Sequence, residues 1–137
     1  MENLLKGIYL FFTAAPGGTN NAFYTAVGGR LYLGQALEEA AFPYCVYSLV
    51  SASPDYWFDN ERFENATIQF SIFSENRAPT EVSDAYQKLI ALYDDAATTV
   101  TGYTVYEFER EGQWLLRDPG PARWQYVVQY NVLILKT

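Results

Sequence analysis

Gly28-Gly29-Arg30-Leu31-Tyr32-Leu33, Phe42-Pro43-Tyr44-Cys45-Val46-Tyr47-Ser48-Leu49-Val50 and Ala66-Thr67-Ile68-Gln69-Phe70-Ser71-Ile72-Phe73-Ser74 belong to one stretch, 28–74, and its reading decides the fold. The last two segments read as β-strands joined by an acidic, aromatic loop over 52–62 that holds Asp55, Trp57, Asp59 and Glu61. Pro43 marks a strand start, where its missing N–H costs little. From Tyr44 to Val50 both alternating faces are largely apolar, which predicts a central strand covered on both sides. In 66–74, Ile68, Phe70 and Ile72 point one way and Thr67, Gln69 and Ser71 the other, the pattern of a half-covered strand. Leu31 to Leu33 has room for a short strand. The Gly-, Asn- and Thr-rich residues 17–30 read as loop, and Gln35 to Ala41 offers one helical turn at most.

Outward from this stretch, Asn3 is placed to cap a helix in which Leu4, Leu5, Ile8, Phe11 and Phe12 recur at helical spacing. Pro16-Gly17-Gly18 stops it. Tyr9 and Leu10 make the helix apolar on more than one face, so it is either deeply buried or part of a contact between subunits. Pro79-Thr80-Glu81 opens a second helix with one stripe, Val82, Ala85, Tyr86, Leu89, Ile90 and Tyr93, opposite Glu81, Asp84, Gln87 and Lys88. Such a stripe must lie on something, and the sheet is the only partner large enough. Residues 103–110 and 124–136 read as strands around the turn signal Asp118-Pro119-Gly120-Pro121, hence an antiparallel hairpin. The expected fold is α+β: a mainly antiparallel sheet, an N-terminal helix and a second amphipathic helix packed on one face, and a C-terminal β-hairpin. Residues 1–137 form a single domain, consistent with the length.

Charge and composition exclude several functions. Nine basic and 16 acidic residues give a formal net charge of −7. The basic residues are scattered singly, whereas a protein that tracks nucleic acid needs them to displace phosphate counterions. An acidic surface can still line a channel through which DNA passes. With no histidine, His-based triads and almost all zinc chemistry fall away. Cys45 has no neighbouring positive charge in sequence to activate its thiol, and its apolar strand makes it a small buried hydrophobe. Glu107, Glu109 and Glu111 alternate on one strand face. Acid–base catalysis needs two carboxylates in unlike environments, so three alike read as a solvated face or a charged edge. Asp94-Asp95 oppose the dipole at the end of the second helix and ask for a partner. Neither Gly17-Gly18 nor Gly28-Gly29 has the context of a phosphate loop. No cofactor or metal is expected, and no enzymatic activity. The start of the chain lacks a positive n-region, and its apolar run is too short to span a bilayer. Synthesis and residence in the cytoplasm until assembly are expected, with no membrane partner.

The aromatic surplus, 12 Tyr, 9 Phe and 3 Trp, serves either strand propensity or interfaces, where amphipathic rings concentrate. Tyr56, Trp57 and Phe58, set between Asp55 and Asp59, are candidate contact anchors. Phe11 and Phe12 join them through the first helix. A loop tryptophan that folds back onto its own domain is the competing reading.

Three blocks, in order, resemble the bacteriophage tail-completion (tail terminator, or head–tail joining) proteins. They are Gly28-Gly29-Arg30-Leu31-Tyr32 with Phe42-Pro43-Tyr44-Cys45-Val46-Tyr47; Thr67 to Ser74 leading into the amphipathic helix; and Val100-Thr101-Gly102-Tyr103 with Trp124-Gln125-Tyr126-Val127-Val128-Gln129-Tyr130. The resemblance implies a non-enzymatic virion protein of the tail or neck. Copies would form a homo-oligomeric ring, a hexamer by family habit, that caps the tail tube and meets the head connector. DNA would pass through the channel without sequence-specific binding. Other neck or tail components, a head–tail adaptor or a tail-tube subunit, are the nearest alternatives. A small-ligand binder or carboxylate enzyme lies outside them.

Overall fold

The computed structural model describes residues 2–14, 21–56, 62–96, 98, 100–118 and 123–136. In chain order the elements are α1 (Glu2–Ala14), α2 (Ala22–Ala26), β1 (Leu31–Leu33), β2 (Tyr44–Tyr56), β3 (Arg62–Ser74), α3 (Thr80–Tyr93), β4 (Tyr103–Asp118) and β5 (Arg123–Lys136). The strands form one five-stranded sheet in the order β1-β2-β3-β5-β4. Only the β1–β2 pair is parallel; the other three are antiparallel. The expected α+β class, the amphipathic α3 and the terminal hairpin are all present.

Period-2 alternation divides the sheet into two unlike faces. Ile68, Phe70 and Ile72 of β3, with Val128, Tyr130 and Val132 of β5, are fully buried under the helices. The core centres on Phe70, whose ring lies 4.8 Å from that of Tyr93 and 5.8 Å from that of Tyr130; Phe108 closes the group at 5.0 Å from Tyr130. Val82, Ala85, Tyr86, Leu89 and Tyr93 of the α3 stripe are buried as predicted, and Leu92 joins them. The N-terminal helix is seated by its main chain. Tyr47 Oη donates to the Leu5 carbonyl at 3.1 Å, and Tyr93 Oη to that of Ile8 at 2.8 Å.

Several local expectations are corrected. Asn3 does not cap α1, because the helix already includes Glu2; its amide donates instead to the Thr101 carbonyl at 3.0 Å. The segment read as loop over 17–30 contains α2. Asn21 caps it, accepting from the Tyr24 N–H at 2.7 Å and donating to the Phe12 carbonyl at 2.7 Å. One asparagine thus organises a helix that has no apolar period of its own. Gly29 follows at φ +74°, where an added Cβ would lie 2.8 Å from Tyr24 Oη, so the turn out of α2 requires glycine. Gln35 to Ala41 forms bends and a turn rather than helix.

Nor is β2 covered on both sides. Cys45 and Tyr47 are buried under the helices, whereas Val46 and Ser48 on the opposite face are only half-buried and Val50 is exposed. Its outer apolar character is met by rings rather than by a second layer. Tyr44 lies 6.0 Å from Tyr32, 5.0 Å from Phe42 and 5.2 Å from Phe73. Finally, 52–62 is mostly strand. The ladder of β2 and β3 continues to the pair Tyr56–Arg62 after a register shift between Leu49 and Ser51, and 57–61 lie outside the described residues.

Candidate functional site

Of the polar groups that might have carried chemistry, Asp94 and Asp95 are engaged in holding the fold, whereas Glu107, Glu109 and Glu111 stand exposed on β4. Asp94, the acidic residue that opposes the α3 dipole, accepts from Tyr130 Oη at 2.6 Å and pairs with Arg110 at 3.4 Å. Arg110 also donates to the hydroxyl of Tyr86, whose ring stacks on that of Tyr126 at 4.1 Å and 5°. A cation and a hydroxyl therefore answer the carboxylate that the helix end disfavours. Asp95 takes a left-handed φ of 56° and donates its N–H to the Phe108 carbonyl at 3.0 Å, which ends the helix on the edge strand. Cys45 is fully buried, and burial pushes its thiol up. Among the described residues, no three of Asp, Glu and Cys gather as a metal site, and no helix is long and apolar enough to cross a membrane.

Burial also pushes Tyr47 up to about 12, helped by the neighbouring Tyr9, and holds Tyr93 and Tyr130 well above the usual phenol range. A raised folded-state value means that the neutral phenol is preferred in the native chain. Stability is therefore complete below pH ~10 and is lost as pH rises through about 12 for Tyr47. Spectrophotometric titration should show Tyr47, Tyr93 and Tyr130 ionising only together with unfolding, above the ordinary phenol value of about 10. A single transition with all twelve tyrosines near that value would contradict the burial.

Two apolar patches stay exposed, one at each end of the sheet. At the β1 end, Leu5, Tyr9 and Leu10 of α1 face Leu33 of β1 and Tyr47 of β2 across a groove of about 430 Å³, with Glu2 and Lys6 at its rim. Leu10 is 60% exposed and Leu33 53%. At the other end β4 is the edge strand, and Trp114, Leu115 and Leu116 follow one another in it, all more than two-fifths exposed. Three successive large hydrophobes on both faces of an edge strand are unusual on a monomer surface.

The helix-free face differs again. Gln129 donates to Gln69 at 3.1 Å, Gln69 to Ser71 at 3.3 Å, and Asn131 to Asn65 at 3.5 Å. On that face β3 presents Phe63, Asn65, Thr67, Gln69, Ser71 and Phe73, and β5 presents Arg123, Gln125, Val127, Gln129, Asn131, Leu133 and Leu135. Arg123 alone of these is charged, and its guanidinium lies 5.3 Å from the centre of the Phe42 ring.

Of the expected contact residues, Trp57 and Phe58 lie outside the described residues. Tyr56 ends β2, opposite Arg62. Phe11 is half-buried, its ring 5.8 Å from that of Tyr93. Phe12 is fully enclosed between Phe23 and Tyr24, at 5.6 Å and 4.9 Å, so its ring serves the core of its own subunit. The exposed large hydrophobic residues of α1 are Tyr9 and Leu10. Sequence reasoning missed Leu33, Trp114, Leu115 and Leu116. Its signal was present in the run Trp114-Leu115-Leu116, which breaks the alternation of a strand read as ending at 110.

The family model for "Tail completion protein gp17" matches residues 18–135, all but the ends of the chain. The chain belongs to this family. Membership assigns the tail-completion chain a structural role in the phage tail or neck. The tail-completion fold recurs in a solved chain of the virion of a native gene transfer agent particle, with a TM-score of 0.71 at 10% identity, covering 85% of this chain and 86% of the other. No curated protein matches the tail-completion chain by sequence.

Proposed function

We propose that copies of this chain close into a ring, a hexamer, at the end of a phage tail. The ring joins the tail tube to the head connector and leaves a channel for DNA. The protein acts by assembling rather than by catalysis, is made in the host bacterial cytoplasm and ends in the virion. The observation that carries this reading is the pair of unlike apolar patches at opposite edges of one sheet, the α1–β1 groove and the Trp114–Leu116 run. Unlike patches on opposite sides make a head-to-tail contact, and a head-to-tail contact that closes makes a ring.

The helix-free face supports the channel. Its amides bond to one another, and the one basic residue among its β3 and β5 positions, Arg123 at the start of β5, lies over the Phe42 ring, so no basic row is there to hold phosphate. DNA can slide past such a surface. Native mass spectrometry of the protein, and electron microscopy of the protein with tail tubes, test the proposal. A closed oligomer seated on the tube end is the expected result. Monomers alone in both measurements would overturn it, and density along the tube rather than at its end would mark a tube subunit.

A further inference from the structure

We infer that the occupant of the α1–β1 groove is the outer half of β4 from a second copy of this chain, laid beside β1 so that one sheet continues across the subunit boundary. The inference rests on the ring reading and names the surfaces that would meet. β1 is only three residues long and leaves its outer side unpaired among the described residues, while β4, at the opposite edge, offers sixteen residues. Edge strands with free N–H and C=O groups are templates for a further strand.

Face parity then decides which side chains meet. Leu33 pairs with Tyr47, and Tyr47 with Phe70, which puts Leu33 on the helix-covered face. Leu115 pairs with Tyr126 and Arg117 with Trp124, opposite Ile72 and Ser74 of β3, which puts both on that same face. In a sheet that continues with its faces matched, Leu115 enters the groove between Tyr9, Leu10 and Leu33. Trp114 and Leu116, on the other face, come beside the ring cluster of Tyr32 and Tyr44.

Charge selects the half of β4 that fits. The first half carries Glu107, Glu109 and Glu111, all exposed. At the β1 end Glu2 is paired with Lys6 at 3.1 Å on the groove rim, and the exposed Glu38 and Glu39 follow in the segment after β1. Like charges brought opposite one another across a pair of strands repel. The second half has no such row of like charge: it carries the exposed Arg117, stacked on Trp124 at 4.9 Å, beside Asp118.

The test uses two full-length single variants, Leu33→Cys and Leu115→Cys, at exposed positions in a chain whose own Cys45 is enclosed. Both are checked for an unchanged melt, and Leu10→Cys replaces Leu33→Cys if the latter melts early. A short bismaleimide is applied to each alone and to their mixture, in solution and on tail tubes. The expected result is a covalent dimer from the mixture at least ten times more abundant than from either variant alone, and a ladder of higher species from the double variant. A dimer from Leu115→Cys alone would mean that β4 pairs with itself, which overturns the inference. Oligomers by native mass spectrometry with no crosslink from the mixture would overturn it while leaving the ring in place. Monomers under every condition would remove the ring reading and the inference with it.

Discussion

Leu89→Ala lowers the unfolding free energy by about 2–5 kcal/mol. Leu89 is fully buried in the middle of the α3 stripe and belongs to the core that α3 shares with β3 and β5. Truncation removes burial and leaves a cavity, because its neighbours are ring systems and aliphatic side chains that relax only partly. A domain of this size has about 5–15 kcal/mol in total, so the change takes a large share of it. Urea melts check the result. The midpoint should fall with an unchanged slope, since the surface exposed on unfolding is the same. Coincident curves for variant and parent would mean that the cavity term is absent and that Leu89 does not sit between α3 and the sheet.

The second large effect separates two neighbours on α1. Leu10→Asp should leave the melt within about 0.5 kcal/mol of the parent, as surface changes usually do, yet abolish assembly, because it sets an unpaired carboxylate in an apolar contact. Phe12→Ala should behave in the opposite way, costing about 3–5 kcal/mol, since its ring is enclosed by Phe23 and Tyr24. Melts paired with native mass spectrometry give both readouts. If Leu10→Asp assembles like the parent, α1 takes no part in the contact. If Phe12→Ala melts like the parent, its ring is not part of the core.

The parts of this fold that sequence reading reached are those whose side chains carry a strict period. The alternation of Ile68, Phe70 and Ile72 and the stripe from Val82 to Tyr93 each admit one element and one buried face. What escaped depended on contacts remote in sequence. α2 exists because Asn21 bonds both to its own first turn and to the end of α1, a partner nine residues away. The two apolar faces of β2 suggested two covering layers, but rings on β1, β3 and the preceding loop do that work on one side. The docking surfaces were half legible. Tyr9 and Leu10 stood out as excess hydrophobicity on a helix, but which aromatic of α1 faces outward is a matter of a hundred degrees or so of rotation per residue. The Trp114–Leu116 run was hidden by two register shifts in β4, after Val105 and after Arg110, which interrupt the period by which a strand is recognised.

The manner in which α1 is held has its own consequence. Two tyrosine hydroxyls, one from β2 and one from α3, grip it by the carbonyls of Leu5 and Ile8 rather than by side chains. Every residue type supplies that same carbonyl, so the anchorage is blind to what the helix displays outward. Tyr9 and Leu10 can therefore be exchanged for other residues while the helix stays moored in one place. A subunit built in this way can change which surface it recognises without having to learn to fold again.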